Sequence, residues 1–150
     1  MKKTLKLVSL LFISSLFIFA CKKKNNEAPY NPIKGAWVET PQQTYNRKIV
    51  FNDNGKFTMY MTNTIDANYL VTLNGTYTAQ GENLTVNITE EWVKQSNGTV
   101  VKTQLPQQYN LFEKGTFNIS NTVLTINYLT YPADAPVKTL AKFNKILAID

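Results

Sequence analysis

Histidine is absent from this chain of 150 residues, and cysteine occurs only once. Without histidine there is no imidazole to act as a general base or to complete a Ser-His-Asp triad. A zinc site built from histidine and cysteine is excluded for the same reason, and a lone cysteine cannot form a disulfide within the chain. We therefore expect a protein without enzymatic activity, cofactor or bound metal.

Acidic residues are few, since 10 Asp and Glu stand against 16 Lys and Arg, giving a net charge of +6 and a pI of about 9.4. A chain that was basic throughout would suggest a nucleic-acid partner. Residues 1–30 alone hold six lysines and one acid, which leaves ten basic and nine acidic groups in residues 31–150. Because this larger part is nearly neutral, we expect no nucleic-acid binding.

The first 20 residues have the pattern of an export signal. Three lysines precede an apolar run of 13 residues, 7–19. The run is shorter than the roughly 20 residues of a transmembrane helix, and a basic segment before it is typical of a secretory signal. Its end, Ile18-Phe19-Ala20-Cys21, resembles the lipobox of bacterial lipoproteins. The resemblance implies that residues 1–20 are removed and that Cys21 receives acyl chains such as palmitate.

Residues 21–32 are polar and contain three consecutive lysines and two prolines, which predicts a flexible tether. The lysines can contact anionic lipid headgroups at about 1 kcal/mol each. The residue after Cys21 is Lys22 rather than Asp, which resembles lipoproteins forwarded to the outer membrane of Gram-negative bacteria. We expect an outer-membrane protein anchored through Cys21, facing either the periplasm or the outside.

Residues 33–150 read as one all-β domain, because about 118 residues suffice for a single modest core. Residues 47–51 and 56–62 form a predicted hairpin around Asn54-Gly55, since Asn-Gly suits a tight turn. Residues 84–89 alternate apolar and polar side chains without interruption, and a strand starting at residue 99 is interrupted by Pro106. Eight to ten strands joined by short turns predict an up-and-down barrel of about eight strands or a sandwich.

Several short motifs of this domain occur in an order that resembles the lipocalin-like domains of bacterial envelope lipoproteins. The first strand opens with Gly35-Ala36-Trp37, followed by Phe51-Asn52-Asp53-Asn54-Gly55-Lys56-Phe57. Next come Asn74-Gly75-Thr76-Tyr77 and Glu82-Asn83-Leu84-Thr85-Val86. Residues 115–126 repeat the last two elements. The second motif of the classical lipocalins, Thr-Asp-Tyr, is absent.

The lipocalin resemblance implies a barrel in which Gly35 and Trp37 are structural. Trp37 would close one end and pack against a basic side chain of the last strand, here Lys142 or Lys145. It also implies a small apolar or amphipathic ligand inside the barrel of a monomer, because eight strands leave room for side chains or for one small ligand. The side chains expected to line that pocket are Phe57, Met59, Met61, Leu73, Tyr77, Val86, Ile88, Phe117 and Ile126.

An alternative is an interaction module whose outer surface binds a protein or a glycan, as an inhibitor, adhesin or accessory subunit, with Trp92 among the contacts. An enzyme is less favoured. The only acidic pair, Glu90-Glu91, has neighbouring positions in a strand, which point to opposite faces and cannot act together on one substrate.

Replacing Cys21 by serine tests the predicted anchor. Serine has no thiol to acylate, so we expect an unlipidated precursor or a protein that leaves the detergent phase. Detergent-phase partitioning compares the variant with the parent chain. Unchanged partitioning would show that Cys21 is not the anchor.

Overall fold

The computed structural model describes residues 32–42, 45–66, 68–132 and 135–147. These residues contain no helix and form nine strands, which confirms the predicted all-β class. The strands are β1 (Gly35–Glu39), β2 (Tyr45–Phe51), β3 (Lys56–Asn63), β4 (Leu70–Gln80), β5 (Asn83–Lys94), β6 (Val100–Asn110), β7 (Glu113–Ser120), β8 (Val123–Thr130) and β9 (Val137–Lys145).

All neighbouring strands are antiparallel, and eight of them close into a barrel. The ring runs β1-β2-β3-β4-β5-β7-β8-β9, and β9 pairs again with β1. Of the two expected architectures, the barrel is therefore confirmed. Strand β6 is an addition, because within the described residues it pairs with β5 alone. Closure gives each strand of the ring a neighbour on both sides, which shortens the free edges that could pair with another molecule.

The barrel has two different ends. We call the base the end with the turns at residues 52–55, 80–83 and 120–122, and the mouth the end where β3 passes into β4 and β5 into β6. Inner side chains are most buried toward the base. On β3, Phe57 and Met59 are 1% exposed, whereas Met61, nearer the mouth, is only half-buried. The hydrophobic core therefore fills the base and middle and thins out toward the mouth.

The two Gly-Thr-aromatic motifs tie strands to turns. In the first, the Tyr77 amide donates to the Gly55 carbonyl (2.8 Å) and the Tyr77 hydroxyl donates to the Asn52 carbonyl (2.9 Å). In the second, the Phe117 amide donates to the Glu82 carbonyl (2.8 Å). Both aromatic rings are buried in the core. Each motif therefore joins its strand to the turn of an earlier hairpin.

Gly75 and Gly115 contact β5 from its two sides. A Cβ on Gly75 would lie 2.0 Å from the Asn87 carbonyl oxygen, and one on Gly115 would lie 2.6 Å from the Leu84 carbonyl oxygen. Both distances are well inside van der Waals contact with backbone atoms that cannot move aside. Only glycine therefore allows the neighbouring strands to approach β5 this closely.

Strand β6 differs from the expectation of a strand interrupted at Pro106. The structure has one strand through this position, but the register skips, since Glu90 lies opposite Gln104 and Ile88 opposite Tyr109. The four residues between Gln104 and Tyr109 bulge away from β5. Proline has no amide to donate to a ladder, and a bulge is one of the few places in a sheet that accepts it.

All strand pairings and the whole core lie within residues 31–150, which form one compact unit. This unit therefore contains every strand pairing and core contact that the described residues make. The predicted signal at residues 1–20, Cys21 and the tether up to residue 31 lie outside the described residues.

Replacing Gly75 by alanine tests the close approach at β5. The added methyl group would overlap the Asn87 carbonyl, so we expect a loss of about 3 kcal/mol in the free energy of unfolding, measured by urea denaturation. Thr76→Ala is the control, because Thr76 is exposed on the same strand and its truncation should change stability by less than about 0.5 kcal/mol. Equal unfolding midpoints for the two variants would contradict the packing described here.

Candidate functional site

Eight of the nine side chains expected to line a pocket lie in the packed core. They are between 0% and 6% exposed and belong to one hydrophobic cluster. The ninth, Met61, packs at the edge of this cluster and borders a cavity at the mouth. The eight core residues are Phe57, Met59, Leu73, Tyr77, Val86, Ile88, Phe117 and Ile126.

The cavity at the mouth has a volume of about 250 Å³. Its floor consists of cross-strand neighbours on the inner face, with Met61 opposite Val71 and Val71 opposite Val93. Tyrosines at the ends of two strands and one carboxylate complete the wall. The lining residues are Tyr45, Met61, Tyr69, Val71, Glu91 and Val93.

A bulge in β5 decides which of its side chains face this cavity. Below the bulge Gly75 pairs with Ile88, and above it Asn74 pairs with Glu90, so Thr89 is an extra residue. The Thr89 hydroxyl donates to the Asn74 carbonyl (3.4 Å). Since inner and outer positions alternate along a strand, one inserted residue exchanges them. In β5, even-numbered residues up to Ile88 face inward, whereas from Glu91 onward the odd-numbered residues face inward.

Glu90 and Glu91 therefore lie on opposite faces, as predicted. Glu91 is opposite Leu73 on the inner side, and Glu90 is opposite Asn74 on the outer side. The two carboxylates cannot meet on one substrate.

Two ionised side chains lie inside the barrel near the mouth. Arg47 donates two hydrogen bonds to the Glu39 carboxylate, one of them from Nε at 2.6 Å. Glu39 is 5% exposed and Arg47 is partly buried. The hydrogen bond to Glu39 raises the pKa of Arg47 above its ordinary value, although burial acts against this, and Tyr128 adds a smaller contribution. The bidentate pairing favours the charged guanidinium of Arg47 within the barrel.

Tyr109 adds a hydrogen-bonding group on β6. Burial raises the pKa of its phenol, and the negative charge of Glu91 raises it further. Both effects disfavour the phenolate, so the hydroxyl stays protonated at neutral pH and can donate. The cavity at the mouth itself combines apolar walls with the phenols of Tyr45 and Tyr69 and the Glu91 carboxylate, which has no ion-pair partner among the described residues; this suits a molecule with an apolar and a polar part.

The base is closed by Trp37, which is fully buried. Its indole nitrogen donates to the Ile33 carbonyl (2.8 Å), and the Lys145 ammonium lies 5.3 Å from the centroid of its ring. Of the two expected partners, Lys145 therefore contacts the ring, whereas Lys142 lies exposed on β9. Gly35 begins β1 at this end. Neither Gly35 nor Trp37 lines the cavity at the mouth.

Within the described ranges, no cluster of three or more Asp, Glu, His or Cys side chains is arranged to hold a metal ion. A search of the same residues for a helix of sufficient length and apolarity to span a bilayer also finds none.

No known protein family, curated protein or solved structure gives a match to this chain. The assignment of a function therefore depends on the geometry described above.

Sequence reasoning missed most of the mouth, and one signal could have found part of it. Arg47 occupies an inner-face position of β2, two residues before the buried Ile49, and a charged side chain there indicates a partner inside the barrel. Glu91 and Val93 follow a segment with perfect alternation, but their inward direction depends on the bulge at Thr89. No residue type announces that bulge.

The Glu39–Arg47 pair is tested by replacing Arg47 with methionine. Removing the cation leaves a buried carboxylate without its partner, so we expect a loss of about 3 kcal/mol in the free energy of unfolding, measured by urea denaturation at neutral pH. The double variant Glu39→Leu with Arg47→Met carries no stranded charge and should regain most of that loss. A single variant as stable as the parent protein would contradict the account of this pair.

Proposed function

We propose that this chain is a lipid-anchored envelope lipoprotein whose lipocalin-like barrel binds a small amphipathic molecule at its mouth, without catalysis. The observation that supports the proposal most directly is the mouth cavity, lined by Met61, Val71 and Val93 together with tyrosines and Glu91. Flexible methionine and amphipathic tyrosine suit a site that grips an apolar chain and hydrogen-bonds its polar end.

The volume of the cavity limits the ligand. At about 250 Å³ it is smaller than the 300–1,000 Å³ typical of sites for drug-sized molecules. The ligand is therefore small, or only one end of it enters. The core beneath is packed with fully buried side chains, so the ligand does not reach the base.

The charge at the mouth selects the polar end of the ligand. Arg47 is already paired with Glu39, whereas Glu91 borders the cavity without an ion-pair partner among the described residues. A ligand carboxylate would be repelled by Glu91, and an ammonium would be attracted to it. The ligand class is consequently a neutral or cationic amphipath rather than a fatty acid.

The proposed lipid anchor and outer-membrane localisation are based on the sequence. The lipobox-like segment ending at Cys21 supports lipidation, and Lys22 supports delivery to the outer membrane. Pro32 and Ile33 enter β1 at the base, so the mouth is the end of the barrel farther from the point where the chain enters. The barrel acts as a monomer held at the membrane surface by the acyl chains of Cys21.

Two methionines allow a direct test with the unit of residues 31–150. This unit contains Met59 in the core and Met61 at the cavity. During titration with octylamine, we expect the NMR signal of the Met61 methyl to shift saturably while the Met59 signal stays in place. Octanoate should bind at least about tenfold more weakly, a difference of about 1.4 kcal/mol that repulsion by Glu91 can supply.

The adjacent glutamates provide matched variants. Glu91→Gln should remove the preference for octylamine over octanoate, because it neutralises the carboxylate at the cavity. Glu90→Gln should preserve that preference, because Glu90 points to the outer face. The proposal is wrong if Met61 does not respond to either compound, or if the two variants change the preference equally.

A further inference from the structure

A second recess lies on the outer face of the barrel, where four strands present polar side chains in two adjacent rows. One row crosses from Tyr60 through Thr72 and Trp92 to Lys102. The other row crosses from β3 to β6 in the order Thr58, Asn74, Glu90 and Gln104. The recess lies at the second row and is bordered by Trp92 of the first; it has a volume of about 420 Å³ and is lined mainly by polar atoms.

Two hydrogen-bond donors in the wall of this recess have no partner among the described residues. They are the side-chain amide nitrogen of Asn74 and the indole nitrogen of Trp92, and both atoms are shielded from solvent. A buried donor without an acceptor costs stability, so such groups are uncommon in folded proteins and call for an explanation. Two such donors in one recess could both be satisfied by acceptors of a bound molecule.

The Asn74 side chain contacts one neighbour through its oxygen. In the orientation that the structure gives Asn74, the Thr58 hydroxyl donates to its side-chain oxygen at 3.1 Å, and the amide nitrogen is left for another acceptor. On the same row, the Gln104 amide donates to the Glu90 carboxylate at 2.8 Å. This bond fixes Glu90 and leaves further lone pairs of its carboxylate to accept hydrogen bonds. The recess thus offers donors and an acceptor in fixed positions.

The Lys102 side chain covers the indole of Trp92, with its ammonium 3.9 Å from the ring centroid. Lys102 is exposed and lies on β6, the strand that has a single neighbour in the described structure. A long exposed side chain can change rotamer at small cost. Its displacement would open the indole nitrogen to a ligand.

We propose that this outer recess binds a saccharide, with one or two neutral sugar rings spanning strands β3 to β6. Sugar hydroxyls both donate and accept, which matches the two free donors and the Glu90 carboxylate. Lys56 and Glu90 both border the recess, so its wall carries one charge of each sign and gives no net attraction to a ligand of either charge. An apolar ligand would leave both donors unpaired. Four strands spaced by roughly 4.8 Å cover about 14 Å, a span suited to a disaccharide.

The saccharide site is separate from the mouth. Glu90 and Trp92 point outward from β5, while Glu91 and Val93 point inward, so the two recesses lie on opposite faces of the same strand segment. Failure of one proposal therefore leaves the other standing.

The two tryptophans supply a test with an internal reference. The indole N–H of Trp37 is bonded to the Ile33 carbonyl in the core, whereas that of Trp92 is unpartnered at the recess. We would titrate residues 31–150, labelled with ¹⁵N, with maltose, cellobiose, lactose and N,N′-diacetylchitobiose up to about 10 mM, a range that covers millimolar affinities. At least one of them should shift the Trp92 indole signal saturably and leave the Trp37 signal unchanged.

Conservative variants identify the donors. Asn74→Asp keeps the oxygen that accepts from Thr58 but removes the free amide donor, and Trp92→Phe keeps a ring but removes the indole N–H. Each should raise the Kd of the bound disaccharide at least about tenfold, measured by calorimetry. Tyr60→Phe is the matched control, because Tyr60 lies on the same outer face but does not line the recess, and its Kd should match that of the parent.

The saccharide proposal is overturned if none of the four disaccharides moves the Trp92 signal. It is equally overturned if Asn74→Asp and Trp92→Phe bind as tightly as Tyr60→Phe. Octylamine distinguishes the two proposed sites. Because it should bind at the mouth, it should shift the NMR signal of the Met61 methyl and leave the Trp92 indole signal unchanged.

Discussion

The extra residue Thr89 in β5 is the constraint on which both proposed sites depend. Below it, Leu84, Val86 and Ile88 face the core, and above it the inward positions pass to Glu91 and Val93. A strand without this bulge would turn Glu90 and Trp92 into the barrel and Glu91 and Val93 out of it. The cavity at the mouth would then lose its carboxylate, and the outer recess would lose its indole and its acceptor.

Closure of the barrel also depends on strand β5. It pairs with β4 along its whole length, with β7 near the base and with β6 toward the mouth. Because three strands pair with the two edges of β5, their backbones approach it closely. Gly75 and Gly115 allow this approach, since a Cβ at either position would overlap a carbonyl oxygen of β5. The Gly-Thr-aromatic motifs thus have a physical reason, since the glycine allows the approach and the aromatic residue two positions later ties its strand to a turn.

Much of the fold was predictable because it depends on local patterns. The period-2 alternation and the Asn-Gly turn predicted β2 and β3, and short connections predicted an up-and-down arrangement, which the structure has as a closed ring. The opposite directions of Glu90 and Glu91 were also predictable, since adjacent residues of a regular strand differ in face.

The site was less predictable because it depends on register over long distances. An inward-facing apolar residue such as Leu73 or Ile88 has the same sequence pattern whether it lines a cavity or fills a core. Only the closed ring shows that both residues are buried. The pairing of Glu39 with Arg47 joins two strands across a loop and is not visible in either strand alone. The bulge at Thr89 occurs where both β4 and β6 pair with β5, so no local sequence pattern predicts it.

The register above Thr89 can be measured directly by nuclear Overhauser contacts of the Val71 methyl groups in residues 31–150. With the bulge, Val71 lies opposite Val93, and we expect strong contacts between the methyl groups of these two residues. Without the bulge, Val71 would lie opposite Trp92. Contacts from the Val71 methyls to the indole ring of Trp92, with none to Val93, would contradict the account.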